Sequence, residues 1–180
     1  MLFGGAFDPP HNGHLAIAHA ITEQKIADQI WFVPCAQHPF GKNMSTASDR
    51  LAMLRIADSL QISEYELDKK SMSYTIDTLE HFAATLPEHN FSWLIGSDQL
   101  PSFTKWHRWE NLLTNFTVYV YPREGFPFVS LQNGMVALRN LPLVTISSTK
   151  VRELVKAKQP ISNLVSLAVS KYIQQKALYV

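Results

Sequence analysis

The chain has 180 residues, 46% hydrophobic and 17% charged, which is the makeup of one ordinary globular domain and not of a disordered segment. Basic and acidic residues nearly cancel, 16 against 15, so the net charge of +1 gives no footing for a nucleic-acid polymer or an anionic membrane as partner. The single cysteine, Cys35, excludes an internal disulfide and a multi-thiolate metal site.

The chain opens on MLF, a short strand stub. NGHLAIAHAITEQ follows, with Leu15, Ile17, Ala18 and Ile21 at helical spacing. QIWFVP is a nearly continuous apolar run closed by Pro34, the look of a buried parallel strand. SDRLAMLRIADSL is amphipathic, and ISEYEL alternates as a strand does. SYTIDTLEHFAATL reads as a helix stopped by Pro87. FSWLIG is another apolar strand, HRWENLLTN a short helix, and FTVYVY a strand ended by Pro122. The span 123–142 is irregular, LVTIS is a last strand, and STKVRELVKA and LVSLAVSKYIQQK are helices. No run approaches the length of a membrane span and no secretory signal is visible, so the expected location is the cytoplasm.

Strands alternating with helices of these lengths predict a parallel sheet built from crossover units. The expectation is one α/β domain over 1–180, Rossmann-like and doubly wound, with helices on both faces. A small helical extension occupies the C-terminal part from about residue 147. In such sheets ligands bind beyond the carboxyl ends of the strands. That rule points at the loops starting at Gly4, Cys35, Gly96, Pro122 and Ser147.

GGAFDPPHNGH, residues 4–14, occupies the first of these loops. Gly4 and Gly5 allow close approach of backbone to a phosphate, and Asp8-Pro9-Pro10 sets a turn. Asn12 is the expected N-cap of a helix carrying Gly13 and His14, and that helix start is a ready anion site. His11 and His14, three apart, can aim together at one phosphate and neutralise charge there. The plainer alternative is a proline turn with exposed histidines. A metal site is weak, because two histidines lack a nearby third ligand. In ISSTKVR, Ser147, Ser148 and Thr149 bring hydroxyls and free amides to another helix start, while Lys150 and Arg152 add positive charge. Read plainly it is a helix cap; beside the histidines it is a binding site for β- and γ-phosphates. In IGSDQL, Gly96 permits close approach, and Asp98 either accepts ribose hydroxyls or caps a helix.

GGAFDPPHNGH resembles the G-G-[ST]-F-D-P-x-H-x-G-H signature of the nucleotidylyltransferase superfamily, whose H-x-G-H holds ATP. Phosphopantetheine adenylyltransferases share that motif. SYTIDTL, WLIGSDQL with Trp106, YPREG and ISSTKVR occur in the expected order, and together they resemble the bacterial nicotinate-nucleotide adenylyltransferases over nearly the whole chain. The resemblance implies ATP contacts at Gly5, Ala6, Phe7, His14, Gly96, Asp98, Arg123, Ser147, Ser148, Thr149 and Arg152. It implies mononucleotide contacts at Lys42, Thr75, Trp106 and His107, with Trp106 stacked on the pyridine ring. Its catalytic groups would be His11, His14 and Arg152.

The implied reaction is Mg²⁺-dependent transfer of the adenylyl group of ATP to nicotinate mononucleotide, with these small molecules as partners, no nucleic-acid polymer or membrane, and no protein metal site. Alternatives are transfer to nicotinamide mononucleotide or phosphopantetheine, or a nucleotide-binding relic without turnover. Three departures stand out. Ala6 replaces a Ser or Thr, removing a hydroxyl worth about 1–3 kcal/mol if it met a charged oxygen. The usual P-P-H-K is respaced as CAQHPFGK, with His38, Pro39 and Lys42 present. The first strand is very short.

Overall fold

The computed structural model describes residues 1–37, 44–69 and 72–180. Six strands form one parallel sheet in the order β3-β2-β1-β4-β5-β6: β1 Leu2–Gly5, β2 Trp31–Pro34, β3 Gln61–Ile62, β4 Ser92–Gly96, β5 Thr117–Tyr121 and β6 Met135–Ala137. The helices are α1 Asn12–Glu23, α2 Ala47–Ala57, α3 Tyr65–Asp68, α4 Thr75–Thr85, α5 Trp109–Asn115, α6 Ser148–Lys156 and α7 Leu167–Gln175. A 3₁₀ segment, Ser97–Lys105, follows β4.

Alternation along the strands sorts the core into two layers. Phe3, Phe32, Leu94 and Tyr121 face α1, where Ile17, Ala18 and Ile21 meet them. Their neighbours Leu2, Val33, Trp93, Ile95, Val118 and Val120 face the other way, against Ile76, Leu79 and Phe82 of α4 and Leu112 of α5. Both faces are covered, which is why the strands read as continuous apolar runs. The short β1 is central and pairs on both sides, with β2 and with β4. Gly4 is there for packing: a Cβ on it would lie 2.1 Å from the Trp93 ring. A third cluster joins Met53 of α2 to Val151 of α6 and to Val169 and Ile173 of α7. Among the described residues, no helix is long and apolar enough to cross a membrane.

Two expectations about strands fail. LVTIS is not a strand: Val144 makes a single bridge to Arg123, and β6 lies inside the span read as irregular. The free edge of β5 is already taken by Met135–Ala137, so LVTIS has no strand to pair with along its length. ISEYEL likewise yields only Ile62 to the two-residue β3, and Tyr65–Asp68 turns into a helix that carries Glu66 inward.

Candidate functional site: a cavity at the reversal of strand order

The strand order reverses between β1 and β4, and the loops leaving these strands depart to opposite faces. A crevice must open there. It holds a cavity of about 580 Å³. The described residues that the family resemblance places in the site all line this cavity, from Gly5, Ala6 and Phe7 to Ser147, Ser148, Thr149 and Arg152. Lys42, with His38 and Pro39, lies outside the described residues.

One end of the cavity is built by the starts of α1 and α6. His11, not Asn12, caps α1; Asn12 is the first helical residue. The Asn12 side chain is turned to the C-terminal segment, where its Nδ2 donates to Asn163 O at 3.2 Å. The backbone N–H of His11 donates to His14 Nδ1 at 3.2 Å. A neutral His14 therefore carries its proton on Nε2. The two rings stack at 3.6 Å, and Phe3 and Phe7 meet His14 edge-on at 5.7 and 5.1 Å. Gly13 makes room for this pair: a Cβ there would come within 2.7 Å of Val144 and 3.1 Å of His11 Nδ1.

Burial, and then the nearby Arg123 charge, push the His11 pKa down to about 3. Burial, His11 and Arg123 hold His14 well below its ordinary range. Both rings are therefore neutral at pH 7 in the free protein, whereas the sequence reading expected them to neutralise charge. Fixed positive charge comes from Arg152 and Arg123 instead. Arg152 donates from Nη1 to Asp8 O at 2.7 Å and from Nη2 to Thr149 Oγ1 at 3.2 Å. Ser148 Oγ donates to Pro9 O at 2.8 Å, and Ser147 Oγ caps α6 by accepting from Lys150 N at 3.1 Å. The α6 start is thus tied to the motif loop by side chain and backbone together. Lys150 is exposed and outside the cavity lining.

Between the ends, Asp98 sits beside Arg123, with Oδ1 3.5 Å from Nε. Arg123 is itself anchored by donation from Nη1 to Ile146 O at 2.6 Å. A Cβ on Gly96 would lie 2.2 Å from Asp98 Oδ1, so the glycine permits this placement.

The other end is aromatic. Trp106 packs against Phe103 at 5.1 Å, and its buried Nε1–H has no partner among the described residues. Ser73 Oγ is likewise buried without a partner. Tyr74 stacks obliquely on His107 at 4.4 Å and precedes Thr75, the first residue of α4. Trp109, read as a core aromatic, packs in the second core layer with Leu112 and Leu113. Buried polar groups are normally paired, so two orphans at one end of one cavity mark a place for a polar ligand atom.

The cytidylyltransferase-like family model matches residues 2–154. A protein of Methylacidiphilum infernorum named "Probable nicotinate-nucleotide adenylyltransferase" is 35% identical over 185 residues, covering 99% of this chain and 91% of that one. The chain belongs to the nicotinate-nucleotide adenylyltransferase branch of the cytidylyltransferase-like family. One of the same name from Exiguobacterium sibiricum is 36% identical over 183 residues, covering 99% and 97%. The fold matches a Plasmodium falciparum nicotinic acid mononucleotide adenylyltransferase solved with NaAD, at a TM-score of 0.81 and 22% identity, over 99% of this chain and 95% of that one.

Two lining or supporting groups went unread in the sequence. Arg50 is buried, and its guanidinium donates to Ala6 O and Cys35 O at 2.8 Å each and to Ser45 O at 3.2 Å. It fixes the backbone of the loops after β1 and β2. Its signal was available: it stands one turn before Met53 and Leu54, on the inward side of α2. Glu66 lines the aromatic end, accepting from Thr78 Oγ1 at 2.7 Å, and burial pushes its pKa up. Cys35 also lines the cavity, but burial pushes its thiol up to about 11, leaving no thiolate at neutral pH.

Proposed function

We propose that this nucleotidyltransferase moves the adenylyl group of ATP onto nicotinate mononucleotide, releasing pyrophosphate and forming nicotinate adenine dinucleotide for NAD synthesis. The observation that carries this reading is one cavity with two unlike ends. One has two helix starts with His14, Thr149 and Arg152. The other has Trp106 with a buried, unpartnered N–H.

A phosphate oxygen of the mononucleotide attacks the α-phosphorus of ATP, and the bond to the β-phosphate oxygen breaks. The attacking oxygen is already anionic, so no protein nucleophile is needed, in keeping with the protonated Cys35 thiol. Catalysis is then positioning and charge stabilisation. His14 Nε2–H donates to the triphosphate where charge develops. Ser147, Thr149 and Arg152 hold the departing pyrophosphate, with His11 backing His14. Arg123 and Asp98 sit between the phosphate and ring ends and hold the nucleoside part. Mg²⁺ enters as part of the nucleotide substrate, where such ions keep phosphate oxygens and waters as ligands.

The acid form of the pyridine is favoured over the amide by what faces the ring. Donors predominate there: Trp106 Nε1, Ser73 Oγ and the free amides at the start of α4 beside Thr75. The deciding experiment is pyrophosphate release from MgATP with nicotinate mononucleotide, nicotinamide mononucleotide and phosphopantetheine in turn. Preference for the first by tenfold or more in kcat/KM is expected, roughly the effect of one charged hydrogen bond. Equal rates with the amide overturn the acceptor assignment, and no release with any acceptor overturns the enzyme reading.

A further inference from the structure

Asp8 belongs to the motif loop and lines the cavity, yet its carboxylate is held entirely by groups of the protein itself. It is 2% exposed, and both carboxylate oxygens are engaged. Tyr179, beyond α7, donates its hydroxyl to Asp8 Oδ1 at 2.6 Å, and Ser45 N–H donates to Oδ2 at 3.1 Å. The carbonyl of the same residue receives Arg152 Nη1 at 2.7 Å. Asp8 is therefore a junction between the C-terminal segment, the start of α2 and the guanidinium assigned to the phosphates. The Ser45 carbonyl in turn accepts from Arg50, which also holds the Ala6 carbonyl.

Tyr179 reaches Asp8 from an uncommon backbone. Its φ of 65° lies in the left-handed region, costly for a bulky side chain. Ala177, two residues earlier, is also left-handed at 48°. The chain beyond α7 is bent twice, and its phenol ends on a motif carboxylate.

We propose that Tyr179 is a positioning residue of the triphosphate site: through Asp8 it holds the loop after β1 and the Arg152 guanidinium in working orientation. The proposal rests on the ATP-dependent reading above. Substrate need not touch Tyr179. Without its hydroxyl the Asp8 side chain has one tether left, and the peptide that anchors Arg152 can rotate. A shift well under an ångström at a phosphate-holding fork is enough to cost rate.

The test uses the full chain with two variants of like chemistry. Tyr179→Phe deletes the hydroxyl at Asp8. Tyr172→Phe deletes another tyrosine–aspartate bond, from Tyr172 to Asp49 at 2.9 Å, which ties α7 to α2 outside the cavity lining. The expected result is about a tenfold loss of kcat/KM for ATP in Tyr179→Phe, with KM for the mononucleotide unchanged and Tyr172→Phe kinetically normal. The loss should vanish in an Arg152→Ala background, because both act through one guanidinium. Unchanged kinetics in Tyr179→Phe, an equal rise in both KM values, or the same loss without Arg152 overturns the proposal. MgATP affinity by calorimetry keeps the two readings apart. If wild type binds MgATP but turns over no acceptor, the enzyme reading fails, and weaker binding in Tyr179→Phe alone still upholds Tyr179. Equal binding by the variants, or none by wild type, overturns it.

Discussion

Replacing His14 with alanine removes two things at once. The Nε2–H proposed as a donor to the triphosphate goes, and so does the Nδ1 acceptor of the His11 N–H. The first is a donor in a partly dry site, and loss of such a group typically lowers kcat by about 10²–10³-fold, or roughly 3–4 kcal/mol of transition-state stabilisation. The second resembles loss of a helix cap and costs about 1 kcal/mol of stability, a drop in Tm of roughly 2–4 °C for a chain of this size. The two effects are separable because His14 is half-buried, so water can enter the vacated space and the stacked His11 keeps its aromatic neighbours. Pyrophosphate release at saturating MgATP and nicotinate mononucleotide gives kcat, and a thermal melt on the same sample gives Tm. A kcat within threefold of wild type, with the expected fall in Tm, would refute the donor role while leaving the cap intact. A loss of kcat that merely tracks the unfolded fraction would refute it too.

Stability should depend on pH through His11. The unfolded chain binds a proton there below its ordinary value of 6.5, whereas the folded chain binds one only near 3. Stability therefore falls as pH drops through that window, by up to about 1.4 kcal/mol per pH unit, and His11→Asn should flatten the fall. Parallel Tm curves for the two proteins would contradict the buried neutral ring. Arg152→Lys keeps the charge but loses the fork that spans Asp8 O and Thr149 Oγ1; kcat/KM for ATP should fall about tenfold or more, and a wild-type value would remove Arg152 from the phosphate site. Trp106→Phe keeps a ring and deletes the orphan N–H. KM for the mononucleotide should rise about tenfold while Tm holds or rises, since a buried unpaired donor is gone. A lower Tm with unchanged KM would mean that the N–H has a partner within the protein.

The phosphate end was legible in the sequence because it is local. GGAFDPPHNGH places a strand end, a helix start and their polar groups within a dozen consecutive residues, and ISSTKVR places a helix start with its hydroxyls and basic groups. Backbone amides at a helix start point at an anion wherever the helix lies. Strand and helix periodicity was equally local, so the parallel alternation and the loops at the carboxyl ends could be read directly. The exceptions were β6 and LVTIS. Which of two short apolar stretches pairs with β5 depends on the return path of the chain and not on either stretch.

Tertiary structure decided what depends on distant neighbours. The charge state of His11 and His14 comes from burial between Phe3, Phe7 and each other, with Arg123 nearby, and no spacing along the chain encodes that. Gly4 looked like a phosphate-approach glycine, but what needs its missing Cβ is Trp93 on the neighbouring strand. Asp8 read as half of a proline turn, whereas its carboxylate meets Ser45 and Tyr179, residues 37 and 171 positions away. Sequence by itself thus determined the kinds of groups present and the helix starts that carry them. The fold determined which are dry, which are tied and where they point, because desolvation and side-chain pairing arise only when separate segments pack together.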